Sequence, residues 1–167
     1  MGEQLPSGWT LLPLGKLFKI GKDSIEPSDF PNDEFDYYSI PVFDETGTFA
    51  RTKGNEISSG KFALTAPTIL VSKLNPRKPR VVLVNNFSEN KCCSSTEFMA
   101  YQKKTTTTEV WLEYYQWYLY SDLFHRRLQL VATGSTNSHV RVSPPETLLW
   151  PVHTHHPSPN KKKSPPS

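Results

Sequence analysis

The sequence lacks the features that mark several large classes of protein. No apolar run approaches the roughly 20 residues that a membrane-spanning helix needs, and no cationic segment followed by an apolar one opens the chain, as in a secretory signal. The only cysteines, Cys92 and Cys93, are adjacent, and sequence neighbours seldom have the geometry for a disulfide. We therefore expect a cytoplasmic protein with reduced thiols and no membrane partner.

The motifs of common catalytic sites are also missing. No P-loop is present, so nucleotide hydrolysis is unsupported. The segment Ser58–Lys61 has S-x-x-K spacing, but the partner motifs of Ser-Lys acyl enzymes are absent. The chain also lacks the Asn- or Asp-Pro-Pro-aromatic segment and the Gly-rich turn of an amino-methyltransferase. The sequence predicts a protein that is not itself an enzyme, with no metal site and no cofactor of its own.

Charge is distributed unevenly along the 167 residues. Residues 1–60 contain five Lys and Arg against ten Asp and Glu, whereas the remaining residues contain 14 against six. An acidic part followed by a basic part allows a one-sided surface that binds anions.

The stretch from Asn55 to Arg80 contains the clearest pattern. Thr68–Val71 and Val81–Val84 are short apolar runs rich in β-branched residues, and the Pro-rich turn Asn75–Arg80 lies between them, which predicts a β-hairpin. Four cations fall near its tip: Lys73, Arg77, Lys78 and Arg80. Clustered cations on a rigid turn suit an anionic partner such as a nucleic-acid backbone. The alternative is a solvated turn with ordinary surface charge.

Further strands are expected outside the hairpin. Aromatic and β-branched residues predict strands over Phe35–Phe43 and Lys91–Tyr101, with a turn at Asp44–Gly47 and a loop over 21–36. Tyr37 has two readings: one member of an alternating core and surface pair, or a side chain that stacks on or hydrogen-bonds to a base.

One helical region is predicted over Glu109–Leu130, because apolar residues recur at spacings of three and four. A capping box at Thr106–Glu109 would start it, and Ser121 would cap a second helix. The side chains expected to be buried are Trp111, Leu112, Tyr115, Tyr118, Leu119, Leu123, Phe124, Leu128, Leu130 and Val131.

A small-residue loop follows the helices and leads into a strand. Its hydroxyls and backbone N–H groups could contact phosphate; the candidates are Ser135, Thr136, Asn137 and Arg141. A plain helix-to-strand loop is the alternative. The chain ends in a Pro/His/Lys-rich segment, so we expect one domain over residues 1–151 and a disordered tail over 152–167.

Six segments in order resemble one family. They are Trp9 with Leu14-Gly15, Tyr37–Ile40, Ile57–Lys61, Ile69–Arg77, Ser94–Phe98 and Gly134–Ser138. Together, from about residue 5 to about residue 151, they are similar to a target-recognition domain of a type I restriction-modification DNA specificity subunit. The resemblance implies an α+β fold with a mixed, twisted β-sheet and hairpin core and a C-terminal helical pair.

The same resemblance implies what the protein does. It would recognise one half of a bipartite site in double-stranded DNA and direct adenine methylation and restriction there. Its partners would be the methyltransferase subunit, which uses S-adenosylmethionine, the restriction subunit, which uses ATP and Mg²⁺, and a second specificity half-subunit. Family members usually contain two such domains separated by long helices, so we expect a C-terminally truncated specificity subunit.

The predicted DNA contacts combine the hairpin, its surroundings and the later loop: Lys61, Lys73, Arg77, Lys78, Arg80, Ser135, Thr136, Asn137, Arg141 and Tyr37. The loops 21–36, 44–56 and 85–91 are where base-reading side chains could lie. The alternatives are a truncated interaction module that does not bind DNA and a small hydrolase fragment.

Overall fold

The computed structural model describes residues 4–104, 110–133 and 141–155, which contain short strands and four helices. The strands are β1 (Trp9–Pro13), β2 (Phe18–Ile20), β3 (Ser24–Ile25), β4 (Glu34–Tyr38), β5 (Ala50–Lys53), β6 (Lys61–Ala63), β7 (Thr68–Ser72), β8 (Val81–Val84), β9 (Lys91–Ser94), β10 (Phe98–Lys103) and β11 (Pro151–His155). The helices are α1 (Ile40–Thr46), α2 (Leu112–Tyr120), α3 (Asp122–Val131) and the short α4 (Pro144–Thr147).

The strands form three sheets. Strands β1 and β11 pair with each other, β2-β10-β7-β8 form a four-stranded sheet, and β3-β6-β9-β4-β5 form a five-stranded sheet. Only β4 and β9 pair in parallel among these described strands. The mixed sheets and the helical pair confirm the predicted α+β class.

The four-stranded sheet is the middle layer, because alternate residues of β7 enter two different cores. Ile69 and Val71 pack with the buried side of α2 and α3, whereas Leu70 packs with β4 and α1 through Tyr38 and Ile40. This alternation is the period of two that a strand imposes on its side chains. The helical pair therefore covers one face of the sheet, and the five-stranded sheet with α1 covers the other.

The helical pair forms where the sequence predicts it. The Oγ of Ser121 accepts the N–H of Phe124 at 3.3 Å and so caps α3. Tyr115 and Leu119, one helical turn apart on α2, are buried, and the ring of Tyr115 meets that of Phe18 edge-on at 5.3 Å. The predicted capping box at residues 106–109 lies outside the described residues.

Three side chains expected in the helical core are exposed. Trp111 is 78% exposed, Leu123 52% and Leu130 85%. Trp111 precedes the first helical residue of α2, and the buried face of α3 is formed by Phe124, His125 and Leu128 instead. The prediction of a buried position was wrong for these three because the periodic pattern did not establish which positions the rest of the fold covers.

Two predicted strands are shorter than expected. The first ends at Tyr38, because the Oγ of Ser39 accepts the N–H of Val42 at 3.3 Å and starts α1. That helix takes in most of the predicted turn 44–47 and ends at Gly47, whose φ of 75° is left-handed. The segment Lys91–Tyr101 divides into β9 and β10, which belong to different sheets. The predicted loop 21–36 contains β3 and the start of β4.

The boundary of the predicted disordered tail was placed too early. Residues 151–155 form β11, which pairs antiparallel with β1 in the register Trp9↔His155. Val152 and Thr154 alternate into the core and are buried, so this segment contributes to the fold. Residues 156–167, the rest of the predicted tail, lie outside the described residues.

Candidate functional site

The hairpin of β7 and β8 has the predicted form. Its strands pair antiparallel in the register Val71↔Val81. In the turn, the N–H of Lys78 donates to the C=O of Asn75 at 3.0 Å, and Asn75 adopts a left-handed φ of 45°. Asparagine tolerates this backbone conformation better than most residues do, so the sequence of the turn suits its geometry.

Two other segments hold the hairpin tip in place. The N–H of Lys73 donates to the C=O of Glu97 at 2.9 Å, and the N–H of Val142 donates to the C=O of Lys73 at 3.1 Å. Leu74 and Arg141 form an isolated antiparallel bridge. The segments 73–80, 95–97 and 141–142 therefore form one continuous region, which we call the tip surface.

Arg80 lies beneath this surface. Its guanidinium donates to both oxygens of Asp44 on α1, from Nε to Oδ1 at 2.6 Å and from Nη2 to Oδ2 at 2.9 Å, and from Nη1 to the C=O of Leu74 at 3.3 Å. The hydrogen bond from Arg80 is the main cause that lowers the pKa of Asp44 to about 2. With its side chain only 8% exposed, Arg80 differs from the sequence prediction, which placed it among the exposed cations.

Lys61 is also buried, contrary to its expected role. Its Nζ donates to the C=O of Ser58 and to the C=O and Oγ of Ser59, the latter two at 3.1 and 3.0 Å. The same ammonium lies 5.7 Å from the ring centre of Tyr37. Lys61 therefore closes its own turn at the start of β6, and Tyr37 is half-buried beside it.

The remaining cations of the tip surface divide into two kinds. Lys78 pairs with Asp44 at 3.1 Å, and Arg141 pairs with Glu97 through Nε–Oε2 at 3.2 Å and Nη2–Oε1 at 3.0 Å. Among the described residues, the side chains of Lys73 and Arg77 have no hydrogen bond or ion pair. These two side chains are the cations best placed to meet an anion from outside.

The loop 85–91 lies at the opposite end of β8 from the tip. Four strand residues separate the two regions, which is about 13 Å of chain. Asp36, a buried carboxylate that the sequence analysis did not single out, accepts from Ser88 Oγ at 2.6 Å and from Asn90 Nδ2 at 3.2 Å.

Other predicted contacts are not described by the structure. Ser135, Thr136 and Asn137 lie outside the described residues, so their assignment stays a prediction. Within residues 4–104, 110–133 and 141–155, no three or more His, Cys, Asp and Glu side chains gather closely enough to hold a metal ion. Among the same residues, every helix falls short of the length and apolar character that a membrane crossing requires.

His125 on α3 is a buried polar residue that sequence reasoning missed. It is 2% exposed, and neither ring nitrogen forms a hydrogen bond. Burial lowers its pKa. Its ring lies between those of Tyr120 and Phe124, with centres 6.5 and 5.9 Å away. Its burial could have been predicted from its position three residues before Leu128, on the apolar face of the helix.

Comparisons with known proteins show that the chain shares its fold with a solved structure but matches no sequence family. No protein-family model matches the sequence, and no curated protein matches it. Among solved structures, a chain from a study of complex assembly and conformational transition of the type I R-M system aligns with a TM-score of 0.72 and 18% identity, covering 91% of this chain and 39% of that one. The HsdS subunit from Thermoanaerobacter tengcongensis aligns with a TM-score of 0.43 and 18% identity, covering 88% and 36%.

The first of these alignments confirms the fold that the sequence resemblance implied. At 18% identity it shows a common architecture, and a fold by itself does not establish a function. The TM-score of the second is too low to add to this. The chain spans well under half the length of either structure that it matches.

Proposed function

We propose that this protein is a DNA-recognition unit of a type I restriction-modification complex. It would read one half of a bipartite site and direct adenine methylation and restriction to that site. The observation that carries the proposal is its fold, which it shares over 91% of its length with a chain of a type I R-M system. Because a fold alone does not establish a function, the proposal also rests on the unpaired cations of the tip surface.

Lys73 and Arg77 give this unit a physical means of binding DNA. Each would neutralise a backbone phosphate and release condensed counterions, which makes the affinity fall as salt rises. Such contacts set the position of the protein on the duplex, whereas base-edge contacts set the sequence that it reads. Arg141, held by Glu97 on the same surface, belongs to the region where the duplex would lie.

The proposal assigns the chemistry to partner subunits in the cytoplasm. A methyltransferase subunit would transfer the methyl group from S-adenosylmethionine, and a restriction subunit would use ATP and Mg²⁺. This chain would contribute recognition without catalysis. The buried Lys61 and Arg80 would support the fold on which recognition depends, because each is engaged by groups within the chain.

Mapping of adenine methylation in cells tests the proposal. A methyltransferase subunit is expressed with the chain, without it, and with a Lys73→Ala, Arg77→Ala double variant. We expect a methylated sequence motif that requires the intact chain and weakens with the double variant. Identical methylation patterns with and without the chain would contradict the proposal.

The isolated chain provides the control for the enzymatic alternative. The purified protein is incubated with DNA and with nucleotides, in the presence and absence of divalent cations. We expect no turnover above that of a buffer blank. Turnover that depends on a metal or a nucleotide, and that copurifies with the chain, would favour the hydrolase alternative instead.

A further inference from the structure

Strand β8 forms an edge of the four-stranded sheet. The N–H of Ser72 donates to the C=O of Arg80 at 3.0 Å, which makes these two residues a hydrogen-bonded pair. In an antiparallel ladder such pairs alternate with pairs that do not bond to each other. Val81 and Leu83 therefore turn their N–H and C=O groups away from β7, and no described residue bonds to them there.

An apolar pocket opens beside the start of this edge. It lies between β8 and α2, has a volume of about 340 Å³, and is lined by Val81, Gln116, Trp117 and Tyr120. Trp117 is 72% exposed and Tyr120 is 49% exposed, with their rings edge-to-face at 6.4 Å. Exposed aromatic side chains grouped around a pocket mark a surface that another molecule can cover.

The edge and the pocket together favour a polypeptide over DNA as the occupant. An added strand satisfies outward N–H and C=O groups at once, and its alternate side chains enter flanking pockets. Phosphate oxygens only accept hydrogen bonds, so a nucleic-acid backbone would leave the C=O groups of Val81 and Leu83 unpaired. An unpaired apolar edge is also the usual template for pairing with another chain.

We propose that the occupant is a second copy of this chain, with β8 of the two copies paired antiparallel about a two-fold axis. Phe87, 40% exposed, and the exposed Glu89 follow the end of β8. Antiparallel pairing brings this end of one copy beside the start of β8 in the other. There, the pocket at Val81 would receive Phe87 of the partner subunit, and the cationic turn 77–80 would face Glu89 of the partner subunit.

The pairing would be reversible, because the shared strand is short. Four residues span about 13 Å. A strand this short buries much less surface area than a permanent interface does. A two-fold interface uses the same patch on both copies, so each contact forms twice. We expect a monomer at low micromolar concentration and a dimer near millimolar concentration. In the dimer, Glu89 of the partner subunit would neutralise the tip cations only in part.

Amide hydrogen exchange tests this pairing directly. The full chain is labelled with ¹⁵N, kept reduced, and followed at both concentrations, with sedimentation velocity reporting its mass. We expect the amides of Val81 and Leu83 to gain about tenfold protection on concentration, together with a shift to the dimer mass. Unchanged exchange at both amides, or a monomer throughout, would overturn the proposal.

Three variants separate edge pairing from other association. Phe87→Ser and Glu89→Lys should each move the dimer to higher concentration, whereas Leu11→Ser, an exposed apolar position on β1, should leave it unchanged. Leu83→Pro removes one outward N–H that β7 does not use and should abolish the dimer. Circular dichroism shows whether each variant is folded. A dimer that persists in folded Phe87→Ser, or protection that appears only when DNA is added, would also overturn the proposal.

Discussion

The two ends of β8 use charge in opposite ways. At the tip, a buried cation, Arg80, is neutralised by a partly exposed carboxylate, Asp44, and further cations remain at the surface. At the far end, a buried carboxylate, Asp36, accepts from the neutral donors of Ser88 and Asn90 and lies 3.6 Å from the exposed guanidinium of Arg51. Both buried groups hold a loop, but among the residues that the structure describes at the two ends, only those of the tip leave unpaired positive charge at the surface. The comparison separates charges that support the fold from charges that can bind a partner.

Replacing Asp44 should have the largest effect on stability. In Asp44→Ala, Arg80 stays buried with only the C=O of Leu74 as an acceptor, and an uncompensated buried charge costs about 3 kcal/mol of unfolding free energy. Urea denaturation measures it. Glu45→Ala, the exposed neighbour on α1, is the matched control and should lie within about 0.5 kcal/mol of wild type. Equal losses of unfolding free energy in the two variants would show that the Arg80–Asp44 pair does not stabilise the fold.

The same pair predicts a dependence of stability on pH. The native pKa of Asp44 is about 2, against 3.8 for a free carboxyl, so the folded state binds the proton less readily than the unfolded state. The contribution is therefore complete above about pH 4 and is lost as the pH falls through about 2. Asp44→Ala should lack this part of the acid sensitivity in urea titrations repeated across that interval.

Replacing Asp36 should have a smaller effect at the other end. Asp36→Ala leaves Ser88 and Asn90 without their acceptor and Arg51 without its ion pair. The lost hydrogen bonds to a charged group cost about 2 kcal/mol. Hydrogen exchange should accelerate in residues 85–90 and not at the tip. Asp36→Asn keeps one acceptor and should lose less. Faster exchange at Lys78, whose N–H closes the tip turn, would show that the two ends are not independent.

The unpaired cations of the tip surface, Lys73 and Arg77, should affect binding without affecting stability. Lys73→Ala and Arg77→Ala should each lower the slope of log affinity against log salt for duplex DNA by about one unit. Their unfolding free energies should stay within about 0.5 kcal/mol of wild type. Fluorescence anisotropy of a labelled duplex over a salt series measures the slope. A slope that neither variant changes would exclude the tip surface as the DNA contact.

The hairpin was predictable from the sequence because its determinants are local. Two short β-branched runs and a turn containing Asn75 and Pro76 specify the strands and the left-handed residue between them. The cap of α3 by Ser121 is local in the same way. In each case, the residues that decide the structure lie within a few positions of one another, so their pattern can be read along the chain.

The burial of Arg80 and the role of Asp36 were not predictable for the opposite reason. Asp44 precedes Arg80 by 36 residues, and Ser88 follows Asp36 by 52. Only the packing of α1 and β4 against the central sheet brings these groups together. Trp111 was mispredicted for the same reason. Helical periodicity identified an apolar stripe, but which residues of that stripe are buried depends on contacts with distant parts of the chain. The sequence therefore predicted the hairpin correctly but not the burial of two candidate cations, Lys61 and Arg80. The assignment of the hairpin tip as the DNA contact stays a prediction.

The smallest expected effect is at Lys91, the matched cation at the far end of β8. Its Nζ pairs with Asp33 at 2.9 Å, and both side chains are more than two-fifths exposed. Exposed pairs contribute little, so Lys91→Ala should cost no more than about 0.5 kcal/mol of unfolding free energy. It should also leave the salt slope for DNA unchanged, because Asp33 already neutralises Lys91, which would therefore displace few of the counterions condensed on DNA. A fall in slope equal to that of Arg77→Ala would mean that the duplex reaches both ends of β8, and the division of roles between the two ends would fail.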